Sequence, residues 1–528
     1  MSLLVSFFPL LGPAVLALAA LGASRSSGDR SARAIRLTWV AARINLALAT
    51  AGAIFVILAG GSQSPVLGVG GFGFAVRLDA LSAILFLLVA FVGTIVIAYS
   101  RSYLAGDDRH GRFVAGLCSA LAAVSLLVVS GNLVQLIFGW IAASVAIHRL
   151  LLFYRNRPGA IVAARKKFWV ARMGDACLIL AVGFLVAAFG TADLAQVSVA
   201  VEAHTARGDM PGFVPAAAML LAVAAMLKSA QFPTQGWLLE VMETPTPVSA
   251  LLHAGIVNAG GFVIIRLADV MLTSPNAMYA LAIVGGTTAV VASVVMLTQT
   301  SVKVTLAWST VAQMGFMLFQ CGLGVFAAAV LHIVAHSLYK AHAFLSAGST
   351  IDVARLSAFQ KATRLAAPRL ASAVLGSAAL LAAALIVWGA PSLVEPSHAL
   401  LGGILALGLA QLLVQTAHDR VILPRTLLTA GFLAIVYVGL QGLSQHALSA
   451  ALPAPHASMH GSSLVLAVAV VLFAAIALVQ WFAPYRRRDP RWQAMYVHAR
   501  NGFYANAVFS RLVGALRHPL HSAHQEKL

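Results

Sequence analysis

Basic residues inside apolar stretches give the first chemical hint. In VLHIVAHSLYKAHAFLSAGS, His332, His336 and Lys340 recur every four residues, which stacks them along one helix face. Histidine titrates near neutral pH, so with a neighbouring lysine such a stripe can pass protons through water. Hydrogen bonds between helices are the alternative use of the same side chains. His342 falls on another face.

Lys228 opens a second constellation, in AAMLKSAQFPTQGWLLEVMETPTPVSALLHAG. Pro233, Pro245 and Pro247 interrupt that apolar run, breaking the helical ladder and freeing carbonyls. Discontinuous helices are tolerated where they line a hydrated cavity, and transporters build ion sites on them. Glu240, Glu243 and His253 follow in the same stretch, so Lys228 reads as a proton or cation relay rather than a side chain reaching for the interface. Glu240 or Glu243 is expected to stabilise its charged form. Lys303 and Asp175, the latter beside Arg172, stand at the start of apolar runs, where a pathway role and an interfacial anchor are both open. The HxxxH spacing has no acidic or cysteine companion, and Cys118, Cys177 and Cys321 show no CxxC spacing, so no metal site or cofactor is expected in this chain.

An ionisable side chain at bilayer depth costs roughly 2.5–3.5 kcal/mol on insertion scales, so the elements that hold these groups matter. Of 528 residues, 60% are hydrophobic and 10% charged, and the mean hydropathy is +0.91. That composition describes an all-α polytopic membrane protein whose main solvent is the lipid bilayer. Fifteen apolar spans can be counted. Their cores run from Leu3 to Leu21, Ile44 to Gly61, Leu81 to Tyr99, Phe113 to Val129, Leu133 to Phe153, Ala176 to Phe189, Phe213 to Leu227 and Val248 to Ile265. The series continues with Ala277 to Leu297, Val304 to Phe319, Val325 to Ala347, Leu370 to Trp388, Ala399 to Val414, Leu427 to Leu440 and Leu464 to Phe482.

The net charge of +19 suggests no nucleic-acid partner, because the basic residues lie between spans rather than on one face. Arg25, Arg101, Arg165, Lys166, Lys167, Lys361 and Arg420 fall in odd-numbered loops, and Arg486, Arg487 and Arg488 follow the last span. By the positive-inside rule the C-terminus is then cytoplasmic, in a bacterial inner membrane.

DALSAILFLLV, KSAQFPTQGWLLEVMETPTPVSALLHAG, VKVTLAWSTVAQMGFM and HSLYKAHAFLSAGS together resemble the antiporter-like membrane subunits of complex I and of multisubunit cation/proton antiporters. The resemblance covers roughly Arg77 to Ser349. It implies inverted repeats of five helices, each with a broken helix, here near 228–245. The corresponding units are 1–112 (N-terminal helices), 113–265 (first repeat), 277–414 (second, degenerate repeat) and 427–528 (C-terminal helices and tail). It also implies that Lys228 is the central lysine of the first repeat, His253 its neighbour and Lys340 the connecting lysine of the second.

Two departures stand out. Ile141 follows the GW pair where the respiratory subunits carry glutamate, and Leu370 to Trp388 lacks the usual break and lysine. METPTPVSALLHAGIVNAGGFVIIR and the tail YVHARNGFYANAVFSRL are more similar to one branch, the membrane subunits of DAB-type inorganic carbon transporters. That likeness implies a large soluble zinc carbonic-anhydrase-like partner on the cytoplasmic face, with the zinc in the partner and cation flow through this chain energising it. A proton-pumping respiratory or antiporter subunit, and a non-conducting anchor for a soluble enzyme, are the alternatives.

Overall fold

The computed structural model describes residues 6–24, 30–154, 158–241, 244–348, 367–389, 395–416, 421–453, 463–482 and 489–515. Helices run through it in the order α1 (Leu11–Ser24), α2 (Arg30–Ala59), α3 (Ala80–Tyr103), α4 (His110–Val128), α5 (Leu133–Leu151), α6 (Pro158–Phe189) and α7 (Leu194–Arg207). The middle of the chain forms α8 (Phe213–Lys228), α9 (Gly236–Glu240), α10 (Thr246–Ala254), α11 (Ala259–Arg266), α12 (Ala268–Leu272), α13 (Pro275–Met296), α14 (Val302–Gly322) and α15 (Phe326–Leu345). Last come α16 (Ala367–Trp388), α17 (Pro396–Thr416), α18 (Ile422–Leu448), α19 (Ser463–Phe482), α20 (Pro490–Arg500) and α21 (Ala505–Ala515).

Among the described residues, twelve spans are long and apolar enough to cross a membrane, against the fifteen expected. The difference has a physical origin. The first and seventh expected spans are helices too short for that length, Phe8–Ser24 and Phe213–Lys228. The eleventh, α15, has 20 residues, and its three histidines and one lysine lower its hydropathy. The eighth span is one membrane crossing made of α10 and α11, with a 3₁₀ turn at Ile256–Asn258 between them.

The expected broken helix is present and has a defined end. Lys228 closes α8, and Gln231 N donates to Met226 O at 3.1 Å across Ala230, whose φ is +50°. This is a Schellman-type stop with alanine in the left-handed position that glycine normally takes, at a cost of about 1–2 kcal/mol. The chain then turns through residues 229–235 before the short α9.

On one side of the bundle the even-numbered connections knit together. Leu67–Val69 (β2) and Phe72–Phe74 (β3) form a hairpin around Gly70 and Gly71, both at positive φ as a tight two-residue turn requires. Ser62–Gln63 (β1) pairs with Arg77–Leu78 (β4) beneath it. Asn132 Nδ2 donates to Gly71 O at 2.9 Å, Gly131 N to Ala75 O at 2.7 Å, and Gln63 Nε2 to Asp193 Oδ2 at 2.9 Å. Asp79 caps α3 and accepts from Arg266 Nη1 at 2.5 Å and Arg77 Nε at 2.9 Å. The fourfold agreement of these loops reproduces the alternation expected from the span order.

The opposite side holds the tail. Tyr496 Oη reaches Thr298 O at 3.4 Å, Gln299 Nε2 donates to Arg500 O at 3.2 Å, and Phe509 packs on the main core. Inside the bundle, α13 and α14 approach so closely that a Cβ on Gly315 would meet Ala289 N at 2.6 Å, and one on Gly322 would meet Ala282 N at 2.4 Å. Small residues at such crossings let backbones pack where lipid supplies no hydrophobic drive.

Candidate ion-conducting site

The structure corrects where α6 begins. The basic run Arg165, Lys166 and Lys167, expected in a loop, lies inside a 32-residue helix that starts at Pro158. Lys166 is 2% exposed and Lys167 6% exposed, so both ammoniums face the protein interior. Asp175 is likewise within α6, 4% exposed, rather than at its start.

One polar group forms among α5, α6 and α8. Lys228 Nζ donates to Ser144 Oγ at 2.8 Å and to Trp140 O at 3.3 Å, and sits 4.2 Å from the centroid of the Trp140 ring. Lys167 Nζ donates to Ser144 O. Trp140 Nε1 donates to Asp175 Oδ1 at 2.9 Å, and Asp175 Oδ2 pairs with Arg172 Nη2 at 2.5 Å. The carboxylate in the Lys228 environment thus comes from α6, while Ile141 is an apolar, partly buried residue. A fixed ring face and a fixed serine hold the ammonium without neutralising it.

Glu240 is placed differently from the expectation that it stabilises Lys228. Its Oε1 pairs with Lys166, and its Oε2 is buried without a hydrogen-bond partner among the described residues. Glu243 lies outside the described residues.

A second group spans α10, α14 and α15. His336 Nε2 lies 3.2 Å from His253 O, and the His253 ring stacks on Phe344 with centroids 4.4 Å apart. Both His253 nitrogens are buried without partners among the described residues. The rings of His332 and His336 are 6.0 Å apart. Lys340 Nζ donates to Ser309 Oγ at 2.6 Å and to Leu306 O at 3.3 Å, and Lys340 is fully buried. Asn258 Nδ2, in the kink of the eighth span, donates to Ser337 Oγ at 2.9 Å. Lys303 sits half-buried in the first turn of α14, with no hydrogen bond or ion pair among the described residues, and is not brought into this group. No hydrogen bond joins the Lys228 group to the His253 group among the described residues. In sequence between Lys228 and His253, the break between α8 and α9 carries Gln231 Oε1, Gln235 Nε2 and Gln235 Oε1, all buried and without a hydrogen-bond partner among the described residues. Such groups are costly to bury dry.

The family signature described as NADH:quinone oxidoreductase/Mrp antiporter, TM, matches residues 130–394, and that described as NADH-ubiquinone oxidoreductase (complex I), chain 5 N-terminus, matches residues 68–114. The chain belongs to the NADH:quinone oxidoreductase/Mrp antiporter family of membrane subunits. Within this family it is 35% identical to a probable inorganic carbon transporter subunit DabB2 of Halothiobacillus neapolitanus, over 86% of this chain and 82% of that relative. It is 45% identical to a probable inorganic carbon transporter subunit DabB of Hydrogenovibrio crunogenus, over 56% of each chain. NADH-quinone oxidoreductase subunit L of Escherichia coli is 35% identical over 53% of this chain and 45% of its own length. A chain of the Mrp complex from Dietzia sp. DQ12-45-1b shares the fold, with a TM-score of 0.63 at 23% identity, over 98% of this chain and 61% of that one. The chain is therefore a multi-span membrane protein with the antiporter-type fold.

Proposed function

We propose that this protein is the cation-conducting, most simply proton-conducting, membrane subunit of an inorganic carbon accumulation complex. The observation that carries the reading is the pair of buried basic groups, Lys228 with Lys167 on Ser144 and Lys340 with His336 and His253, ordered through the bundle. A buried base without a functional use is costly to keep, which argues against a non-conducting anchor. Lys228 exchanges protons through water with the broken segment and His253. The path then follows His336, His332 and Lys340. Sodium is the second cation compatible with such a path.

The relatives that direct this reading to carbon are named inorganic carbon transporter subunits, one of them along most of its length. A proton-pumping role like that of the NADH-quinone oxidoreductase relatives is the second reading. Ile141, which replaces a path carboxylate by an apolar side chain, weighs against it. No redox chemistry is assigned to this chain. Hydration of carbon dioxide belongs to a large soluble zinc carbonic-anhydrase-like partner on the cytoplasmic face, the side of the tail in a bacterial inner membrane.

The test is expression with and without such a partner in cells lacking carbonic anhydrase, scoring growth in air and uncoupler-sensitive uptake of labelled bicarbonate. Rescue that needs both proteins and Lys228 is expected. A stable complex that gives no rescue overturns the carbon reading in favour of a respiratory or antiporter subunit.

A further inference from the structure

The end of the first polar group is closed by residues from the far end of the described chain. Lys166 Nζ donates to Asn506 Oδ1 at 3.1 Å and to Ser510 Oγ at 2.6 Å, in addition to its ion pair with Glu240. Asn506 Nδ2 donates to Glu240 Oε1 at 3.0 Å. Both α21 residues are one helical turn apart, so a single face of that helix meets both halves of the ion pair. The approach is close: a Cβ on Gly236 would meet Asn506 Oδ1 at 2.0 Å and Cγ at 2.8 Å, so a side chain there displaces the Asn506 carboxamide from its partners. Lys166 precedes Lys167, which shares Ser144 with Lys228, so the clasp and the relay are adjacent along one helix.

We propose that Asn506 and Ser510 are positioning residues of the conducting path: α21 holds Lys166 against Glu240, and thereby fixes the broken segment α9 next to the Lys228 relay. This rests on the ion-conducting reading of the site. Neither residue touches the relay itself. Without them Glu240 keeps one partner instead of two, and the short α9 loses its polar tie to α21. Anything that binds the tail helices then acts on the path through a defined set of atoms.

The full chain is reconstituted in proteoliposomes, and proton flux under a potassium diffusion potential is followed with an internal dye as the pH is varied. Amide hydrogen exchange of residues 236–241 and 505–515 is measured on the same samples. The N506A/S510A double variant and Gly236→Ala, which displaces the Asn506 carboxamide, are compared with Ser510→Thr, which keeps the hydroxyl. Expected are faster exchange in both segments, flux lowered about tenfold or more as the double variant loses three hydrogen bonds to Lys166 and Glu240, and a displaced pH profile, with Ser510→Thr like the parent. Release of α21 with unchanged flux and pH profile overturns the positioning role and leaves conduction standing. If the parent itself carries no flux, the conducting reading fails, and exchange decides the clasp: residues 236–241 unaffected by release of α21 overturn it, and their opening supports it.

Discussion

Lys167 and Lys228 converge on one serine: the first donates to the Ser144 carbonyl and the second to its hydroxyl. Two ammoniums on a single residue repel each other unless at least one hands its proton on, and the nearby acid, Asp175, is itself shared with Trp140 and Arg172. Ser144→Ala removes the shorter of the two hydrogen bonds of Lys228, leaving the one to Trp140 O, and leaves the acceptor of Lys167. Its expected effect is a fall in flux of about tenfold or more, from the loss of a hydrogen bond worth roughly 1.5–3 kcal/mol to a charged group. Proteoliposome flux compared with membrane yield checks it.

Lys228→Ala is expected to abolish uptake while the protein inserts and purifies as before, because one relay is lost and the spans stay intact. The cavity it leaves is lined by the Trp140 ring and Ser144. Normal uptake by a well-expressed variant would remove Lys228 from the path.

The Asp79 cluster sets an acid limit on stability. Burial alone would raise the Asp79 carboxyl, but its ion pair and hydrogen bond with Arg266, aided by Arg77, hold it well below the ordinary carboxylate range. A depressed acid stabilises the fold above its unfolded value near ~3.9, and that contribution is lost as the pH falls further. Asp79→Asn leaves Arg266, 1% exposed at its side chain, without its charge partner. The expected loss is about 3–5 kcal/mol. Thermal unfolding in detergent should show a lower midpoint at neutral pH and a flatter acid limb than the parent; matching curves would contradict the assignment.

Gly322→Val tests the α13–α14 crossing. The new side chain meets backbone, which cannot swing aside, so the helices must part. Overpacking of this kind costs typically ~1–3 kcal/mol. A drop in melting temperature is expected, whereas Gly403→Ala, where nothing lies within reach of a new Cβ, should leave it unchanged.

Much of the architecture was legible because lipid imposes long apolar runs, and because Pro233, Pro245 and Pro247 mark the break beside Lys228. The His332, His336 and Lys340 stripe was legible from its spacing alone. Lys166 and Lys167 were not, because hydropathy alone begins the sixth span near Ala176, whereas α6 begins at Pro158. The available signal was structural: Pro158 suits the first turn of a helix, and no glycine or proline follows Gly159 until Gly174. The Gly70–Gly71 hairpin was equally readable as a turn between alternating residues. The Glu240 pairing with Lys166 joins residues far apart in sequence, and nothing local announces it.

The clasp on Lys166 is also a matter of timing. Residues 505–515 follow the twelve membrane spans of the described residues in chain order, so they leave the ribosome after the helices that carry Lys166, Lys228 and Lys340 have been made. Chain growth therefore completes the basic groups before their fastening. A nascent chain stalled before α21 holds Lys166 and Glu240 but not the helix whose Asn506 and Ser510 brace their ion pair, so among the described residues the bracing of this ion pair is the last of the buried polar contacts to be completed.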